Sequence, residues 1–332
     1  MLMKKKLLPD VVAIRLLLIV LLVMEHSFAV YSGAWSLPQG LHEVEAYWWI
    51  GWTAYSFMLE AFIFISGYIF GYQIRTRDGG RIDLQTGVVK KAKRLMIPSI
   101  LFSILYYLMF KFQPGFSWDL VLDILKGMGH LWFLPVLFLC FVLVYILEKL
   151  RLPHGVVLGL AVISGVVFPK IPWYYFMFFY VGYVVQRDDI SLKKLYDKKP
   201  IAVLSILYLA VFITSKLFLN DVPNHSWLEY AARIANVVYA SAGLLAVFAL
   251  FNYLIERGAM RLSDRAVKLS GYCFGVYIFH QFLILLIVEN PFMIGLWGTY
   301  VLPWVAFAAS LAGSMLLTGL MLKTKVGRFL IG

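Results

Sequence analysis

The sequence predicts an all-α, polytopic membrane protein, and three observations carry that prediction. Of its 332 residues, 62% are hydrophobic and only 14% charged, and the mean hydropathy is +0.81, outside the usual makeup of soluble domains. About ten apolar runs approach the length needed to cross a bilayer. All but six of the 30 Lys and Arg residues fall on one side of the resulting topology, the exceptions being Arg15, Lys111, Lys126, Lys170, Lys216 and Arg233. Positive-inside bias therefore accounts for the formal charge of +12, and no nucleic-acid partner is needed to explain it.

The runs lie near residues 11–31, 47–72, 95–112, 130–149, 155–168, 171–186, 200–219, 229–256, 271–289 and 297–322. Residues 1–6 are basic, which places the N-terminus in the cytoplasm, and an even number of crossings returns Lys323, Lys325 and Arg328 to the same side. The inner loop at 75–94 holds Arg75, Arg77, Arg81, Lys90, Lys91, Lys93 and Arg94, the densest cationic segment of the chain. The fifth and sixth runs are short and joined by Phe168-Pro169-Lys170-Ile171-Pro172. If one of them re-enters instead of crossing, the count falls to nine or eight, and nine would put the basic C-terminus outside, against the charge bias. No repeat, low-complexity tract or long loop divides the chain, so residues 1–332 read as a single membrane domain. The first run has no small-residue cleavage site and keeps ionisable residues inside it, which argues against a cleaved signal peptide. Cys140 and Cys273 sit in apolar runs without a CxxC or Cys/His ligand spacing, so neither a disulfide nor a metal is expected.

The first run carries the chemistry. Arg15 and His26 are eleven positions apart, about 1100° of helical rotation, so they point within roughly 20° of each other and lie about 16 Å apart along the axis. One face holds both. A guanidinium near one membrane surface suits phosphate, and an imidazole deeper in the span suits proton transfer to or from a hydroxyl. Snorkelling to headgroups and bonding to a neighbouring helix are the structural alternatives. Glu25 lies about 100° around the helix from His26 and is expected to pair with another helix instead. Glu60 falls mid-span and has to be protonated or paired, either for structure or to orient His26. Ser66-Gly67 permits close helix approach. His130 and Trp132 open the fourth run on the outer side, at the level of an aromatic belt. Tyr277 and His280, three apart, share a helix face, and Arg233 has Glu229 at i−4 as a ready partner. The tryptophans Trp35, Trp48, Trp49 and Trp52, in and just after the outer loop, suit either interfacial anchoring or stacking on sugar rings.

Six ordered segments resemble the acyltransferase-3 family, bacterial multi-pass enzymes that move acyl groups from coenzyme A thioesters to extracytoplasmic glycans and other hydroxyl acceptors. Arg15 and His26 match its R-x10-H pattern. Phe62-Ile63-Phe64-Ile65-Ser66-Gly67-Tyr68 resembles its FF-x-x-SG helix end, and Lys93-Arg94-Leu95-Met96-Ile97-Pro98 its basic-then-proline start of the third span. Gly129-His130-Leu131-Trp132-Phe133-Leu134 is similar to its HLWFL segment. Phe179-Tyr180-Val181-Gly182-Tyr183 resembles its F-x-x-G-Y end, and Ser270 with Tyr277-Ile278-Phe279-His280 its S-x(n)-Y-L-x-H helix. The likeness runs from about residue 8 to residue 325. It departs from the family at Glu25 and Glu60, where many members are apolar, and in having no appended periplasmic esterase-like domain.

The resemblance implies a bacterial inner-membrane enzyme that takes acyl-CoA, acetyl-CoA by default, as co-substrate. Its acceptor is a hydroxyl of a glycan or lipid-linked sugar. Arg15 is implied to bind the donor, with Lys93 and Arg94 adding phosphate contacts. His26 is the expected general base, a buried neutral imidazole taking the acceptor's proton, with a covalent acyl-imidazole as the other route. Glu60, His130 and His280 join it as catalytic candidates, and Glu25, Ser66, Trp132 and Tyr277 as acceptor-side candidates. GxSxG, HEXXH and HX4D signatures are absent from the sequence. The competing class is a transporter or flippase of lipid-linked glycans, which ordinarily shows half-repeats and broken helices; neither is evident in the sequence.

Overall fold

The computed structural model describes residues 8–76, 84–115, 117–167, 172–220, 222 and 226–332. The basic N-terminal residues 1–6, Arg77 and Arg81 of the inner loop, and residues 168–171 of the expected fifth-to-sixth hairpin lie outside the described residues. Among the described residues every regular element is helical. In chain order they are α1 (Pro9–Ser27), α2 (Ala29–Ser32), α3 (Glu45–Tyr55), α4 (Met58–Thr76), α5 (Leu84–Tyr106), α6 (Trp118–Lys126), α7 (Phe133–Leu150) and α8 (His154–Val167). Then follow α9 (Trp173–Arg187), α10 (Lys198–Phe218), α11 (Trp227–Glu256), α12 (Asp264–Ser270), α13 (Cys273–Val288), α14 (Pro291–Met321) and α15 (Lys325–Ile331).

Each apolar run of the sequence coincides with a helix, but fewer helices satisfy the demands of a crossing than the ten expected. Among the described residues six are long and apolar enough, or seven if α12 and α13, bent by 59° at their junction, form one crossing. The shortfall has physical causes. Helix α1 carries Asp10, Arg15 and Glu25 within nineteen residues, and α8 and α9 have only 14 and 15 residues, roughly 21–23 Å of rise against a hydrocarbon core of about 30 Å.

Helix α1 is the centre of the bundle, packed against α3, α4, α11, α12, α13 and α14. Leu18 and Val23 on it are fully buried. At the periphery, α8 and α10 expose Leu160, Ile163, Ile206 and Leu209, an apolar rim suited to lipid rather than water. The tightest seam joins α4 to α9. A methyl group placed on Gly67 or Gly71 of α4 would run into the carbonyl oxygens of Phe179 and Tyr183, and one on Gly182 of α9 into that of Phe64. Backbone touches backbone there, which only glycine allows. This is the role the structure gives to Ser66-Gly67, and the Ser66 hydroxyl turns back to the Phe62 carbonyl of its own helix at 2.8 Å.

The helices flanking the loop at residues 33–44 are pinned to a kink in α14. Gly298 interrupts that helix at φ 59° and ψ −177°, a conformation essentially reserved for glycine. Five residues on, Pro303 has no N–H to offer the Thr299 carbonyl. The Tyr31 hydroxyl donates to that oxygen at 2.8 Å instead, and the Tyr47 hydroxyl donates to the Tyr300 carbonyl at 2.7 Å. The kink and the 59° junction are broken helices that hydropathy does not reveal.

Candidate active site

The last turn of α1, the 3-10 turn Gly129–Trp132 leading into α7, and the middle of α13 bring three imidazoles together. The ring centroids of His26 and His280 are 4.8 Å apart, those of His130 and His280 4.9 Å, and those of His26 and His130 6.4 Å. Spans distant in sequence thus deliver the three histidine candidates to one place. His130 and His280 are buried, while His26 keeps 16% of its side chain exposed.

Backbone carbonyls fix the tautomer of each ring. His26 Nδ1 lies 3.0 Å from the Leu22 carbonyl oxygen and His280 Nδ1 2.7 Å from that of Tyr277. His130 Nε2 is 3.1 Å from the Ile278 carbonyl oxygen. A carbonyl only accepts, so these nitrogens carry the protons and the opposite nitrogens keep their lone pairs. Two of those lone-pair nitrogens, His130 Nδ1 and His280 Nε2, are buried without a hydrogen-bond partner among the described residues. Two neighbouring rings therefore offer buried acceptors and lack a donor, an arrangement that a hydroxyl-bearing ligand completes.

Glu25 corrects the sequence expectation. Its Oε2 lies 2.7 Å from His26 Nδ1, not on another helix. The Nδ1 proton is aimed at Leu22, and the carboxylate sits off its axis at ion-pair distance; no hydrogen bond of good geometry reaches Oε2. The 100° rule describes where Cβ points, whereas two further methylene-length bonds let the carboxylate swing back to its neighbour.

Tyr277 and His280 do share a face, but the Tyr277 hydroxyl is committed. It donates to the His130 carbonyl at 2.7 Å, while the Gln281 side-chain oxygen accepts from the His130 N–H at 2.8 Å. Together they clamp the turn that presents His130. Gln281 was not among the sequence candidates; the only signal for it is a buried amide directly after His280.

Glu60 and Trp132 form a separate group. Glu60 is buried and accepts from the Tyr174 hydroxyl at 2.9 Å, with its other oxygen unpartnered among the described residues. Trp132 packs on Tyr175, ring centroids 5.7 Å apart. Among the described residues neither has a hydrogen bond, ion pair or ring contact with His26; the hydrogen-bond partner of Glu60 is Tyr174.

Toward the other end of α1, Arg15 is half-buried, and its carbonyl oxygen faces the Cys273 thiol at 3.7 Å, at the start of α13 beside the bend. Arg94 on α5 is close enough to interact with its guanidinium electrostatically. Among the described residues no carboxylate lies within ion-pair distance of Arg15. Two guanidiniums held near each other without a carboxylate between them suit a polyanion. Lys93 and Arg94 are exposed. The expected Arg233–Glu229 pair is present, and both cysteines are buried free thiols. Among the described residues no group of three or more His, Cys, Asp or Glu side chains is arranged to hold a metal ion.

Trp35 meets the His26 ring in a T-shaped contact at 5.7 Å between centroids. Trp35 also lines a cavity of about 200 Å³ with Val30, Ser36, Pro38, Val288 and Glu289.

No curated protein and no solved structure matches the chain. Residues 9–323 match the family described as an acyltransferase domain, a span that begins with α1 and takes in the three imidazoles, Arg15 and the glycine seam. The chain belongs to the acyltransferase-3 family.

Proposed function

We propose that the protein is an O-acyltransferase that moves a short acyl group, acetyl by default, from acyl-CoA in the cytoplasm to a hydroxyl of a glycan or lipid-linked sugar on the far side of a bacterial inner membrane. The observation that carries this reading is the cluster of His26, His130 and His280 toward one end of a helix whose other half holds Arg15, with no carboxylate in ion-pair distance of it among the described residues. Arg15, with Arg94 and Lys93, takes the coenzyme A phosphates, and the pantetheine arm follows α1 toward His26. The acceptor arrives past Trp35. All ten helical runs cross as one domain spanning residues 1–332, with both termini in the cytoplasm, the short helices α8 and α9 crossing where the bilayer is thinned around them.

The chemistry needs one proton relay. The acceptor oxygen attacks the thioester carbonyl carbon while its proton passes to the lone pair of His26 Nε2, and Glu25 stabilises the imidazolium that forms. The tetrahedral adduct then expels the thiolate, the C–S bond breaks, and the imidazolium proton passes to sulfur. The products are the O-acyl ester and coenzyme A, with His26 neutral again. His130 and His280 supply lone pairs that orient the acceptor's hydroxyls.

Membrane vesicles supplied with labelled acetyl-CoA test the assignment: His26→Ala abolishes label transfer to glycan, and wild-type transfer by that variant removes His26 as the base. The bent junction beside Arg15 is the feature that favours a transporter of lipid-linked glycans. Consumption of the thioester by purified protein separates the two, since a transporter leaves acetyl-CoA intact.

A further inference from the structure

Helix α3 has two faces with different business. Tyr47, Gly51 and Ala54 are buried, and Gly51 sits so close to Ser32 that an added methyl would press on it. This face closes the α1–α2 side, where His26 and Trp35 lie. Trp48, Trp49 and Trp52 project elsewhere: Trp49 meets Phe212 of α10 at 6.2 Å between ring centroids, and the Lys216 ammonium of α10 lies 3.1 Å from the Trp52 ring centroid. Between the first turn of α3 and the last turn of α10 opens a cavity of about 440 Å³, lined by Glu45, Trp48, Trp49, Lys216 and Asn220 together with the end of α10. This volume is in the range of small-ligand pockets, and its lining shares no residue with the cavity at Trp35.

The lining chemistry selects among occupants. Glu45 and Lys216 face the same space without an ion pair between them. A phosphate drawn to Lys216 meets the Glu45 carboxylate, and a cation drawn to Glu45 meets the ammonium. A neutral polyol satisfies both, because each hydroxyl donates to one group and accepts from another. The flat indole of Trp48 offers an apolar platform to the C–H face of a pyranose ring.

We propose that this cleft is a second carbohydrate subsite, which binds a neutral pyranose unit of the acceptor other than the one acylated at His26. The proposal rests on reading the acceptor as a glycan. It makes the enzyme a reader of glycan length and composition, engaging the acceptor at two separate loci.

The test uses the full-length protein in phosphatidylcholine nanodiscs without acyl donor. Saturation-transfer NMR is recorded with methyl glucopyranoside, methyl galactopyranoside and methyl N-acetylglucosaminide. At least one of the three gives a saturable signal, Trp48→Ala and Glu45→Gln each weaken it roughly fivefold or more, and glycerol 3-phosphate does not compete. Glu45 lies at the exposed first turn of α3, so Glu45→Gln decides the matter if Trp48→Ala fails to fold. The subsite is refuted by silence from all three glycosides, by unchanged affinity in the folded variants, or by competition from glycerol 3-phosphate, which reassigns the cleft to a lipid headgroup. Because no donor is present, this outcome is independent of whether His26 catalyses transfer.

Discussion

The pairing of Glu25 with His26 sets the sharpest expectation for a single residue. A carboxylate 2.7 Å from Nδ1 favours the imidazolium that forms when Nε2 takes a proton, so its contribution grows as the reaction proceeds. Glu25→Gln keeps the shape and loses the charge. It lowers kcat by roughly 10- to 100-fold, the range for groups that support a histidine from behind, while KM for acetyl-CoA stays unchanged. A purely structural Glu25 predicts no such split. Residue-scale reading of the sequence put Arg15 and His26 on one helix, and the structure places both on α1. It failed for Glu25, whose side chain bends against the direction of its Cβ. It named His130 and His280 without placing them beside His26, since their meeting depends on the clamp formed by Tyr277 and Gln281, a contact between segments about 150 residues apart.

At the level of elements, two glycine positions carry stability. Gly67→Ala forces α4 away from α9, and overpacking of this kind costs about 1–3 kcal/mol; the variant shows a lower thermal midpoint in detergent and poorer recovery of folded protein. Gly298→Ala has open space for its methyl, so its cost is one of backbone alone, again about 1–3 kcal/mol. It loosens the Tyr31 and Tyr47 contacts, and faster proteolysis within residues 33–44 reports it. The close approach at Gly67 was legible in Ser66-Gly67 as a small-residue pair. The Gly298 kink was not, because a single glycine in an apolar run carries no sign of its own φ, and the hydroxyl that answers Pro303 comes from Tyr31, far away in the chain.

For the molecule as a whole, hydropathy put every apolar run on a helix but began the third run eleven residues inside Leu84–Tyr106 and the tenth six residues inside Pro291–Met321, and it could not decide which short or charged helices traverse the bilayer. The proposed ten-crossing arrangement places the segment 33–44 outside and residue 332 inside. Single-cysteine variants at Gly33 and Gly332, made in a chain with Cys140 and Cys273 replaced by Ala, are expected to react with an impermeant maleimide from opposite sides of sealed vesicles. Reaction of both from the same side overturns an even number of crossings. The seam at Gly67, Gly71 and Gly182 adds a mechanical corollary. Where main chain abuts main chain there is no side chain to rotate aside, so α4 and α9 travel as one stiff plank. Whatever breathing lets a long, thin donor slip in has to be taken up along the looser joints, where rotamers give way, and a crosslink riveting α4 to α9 leaves turnover untouched.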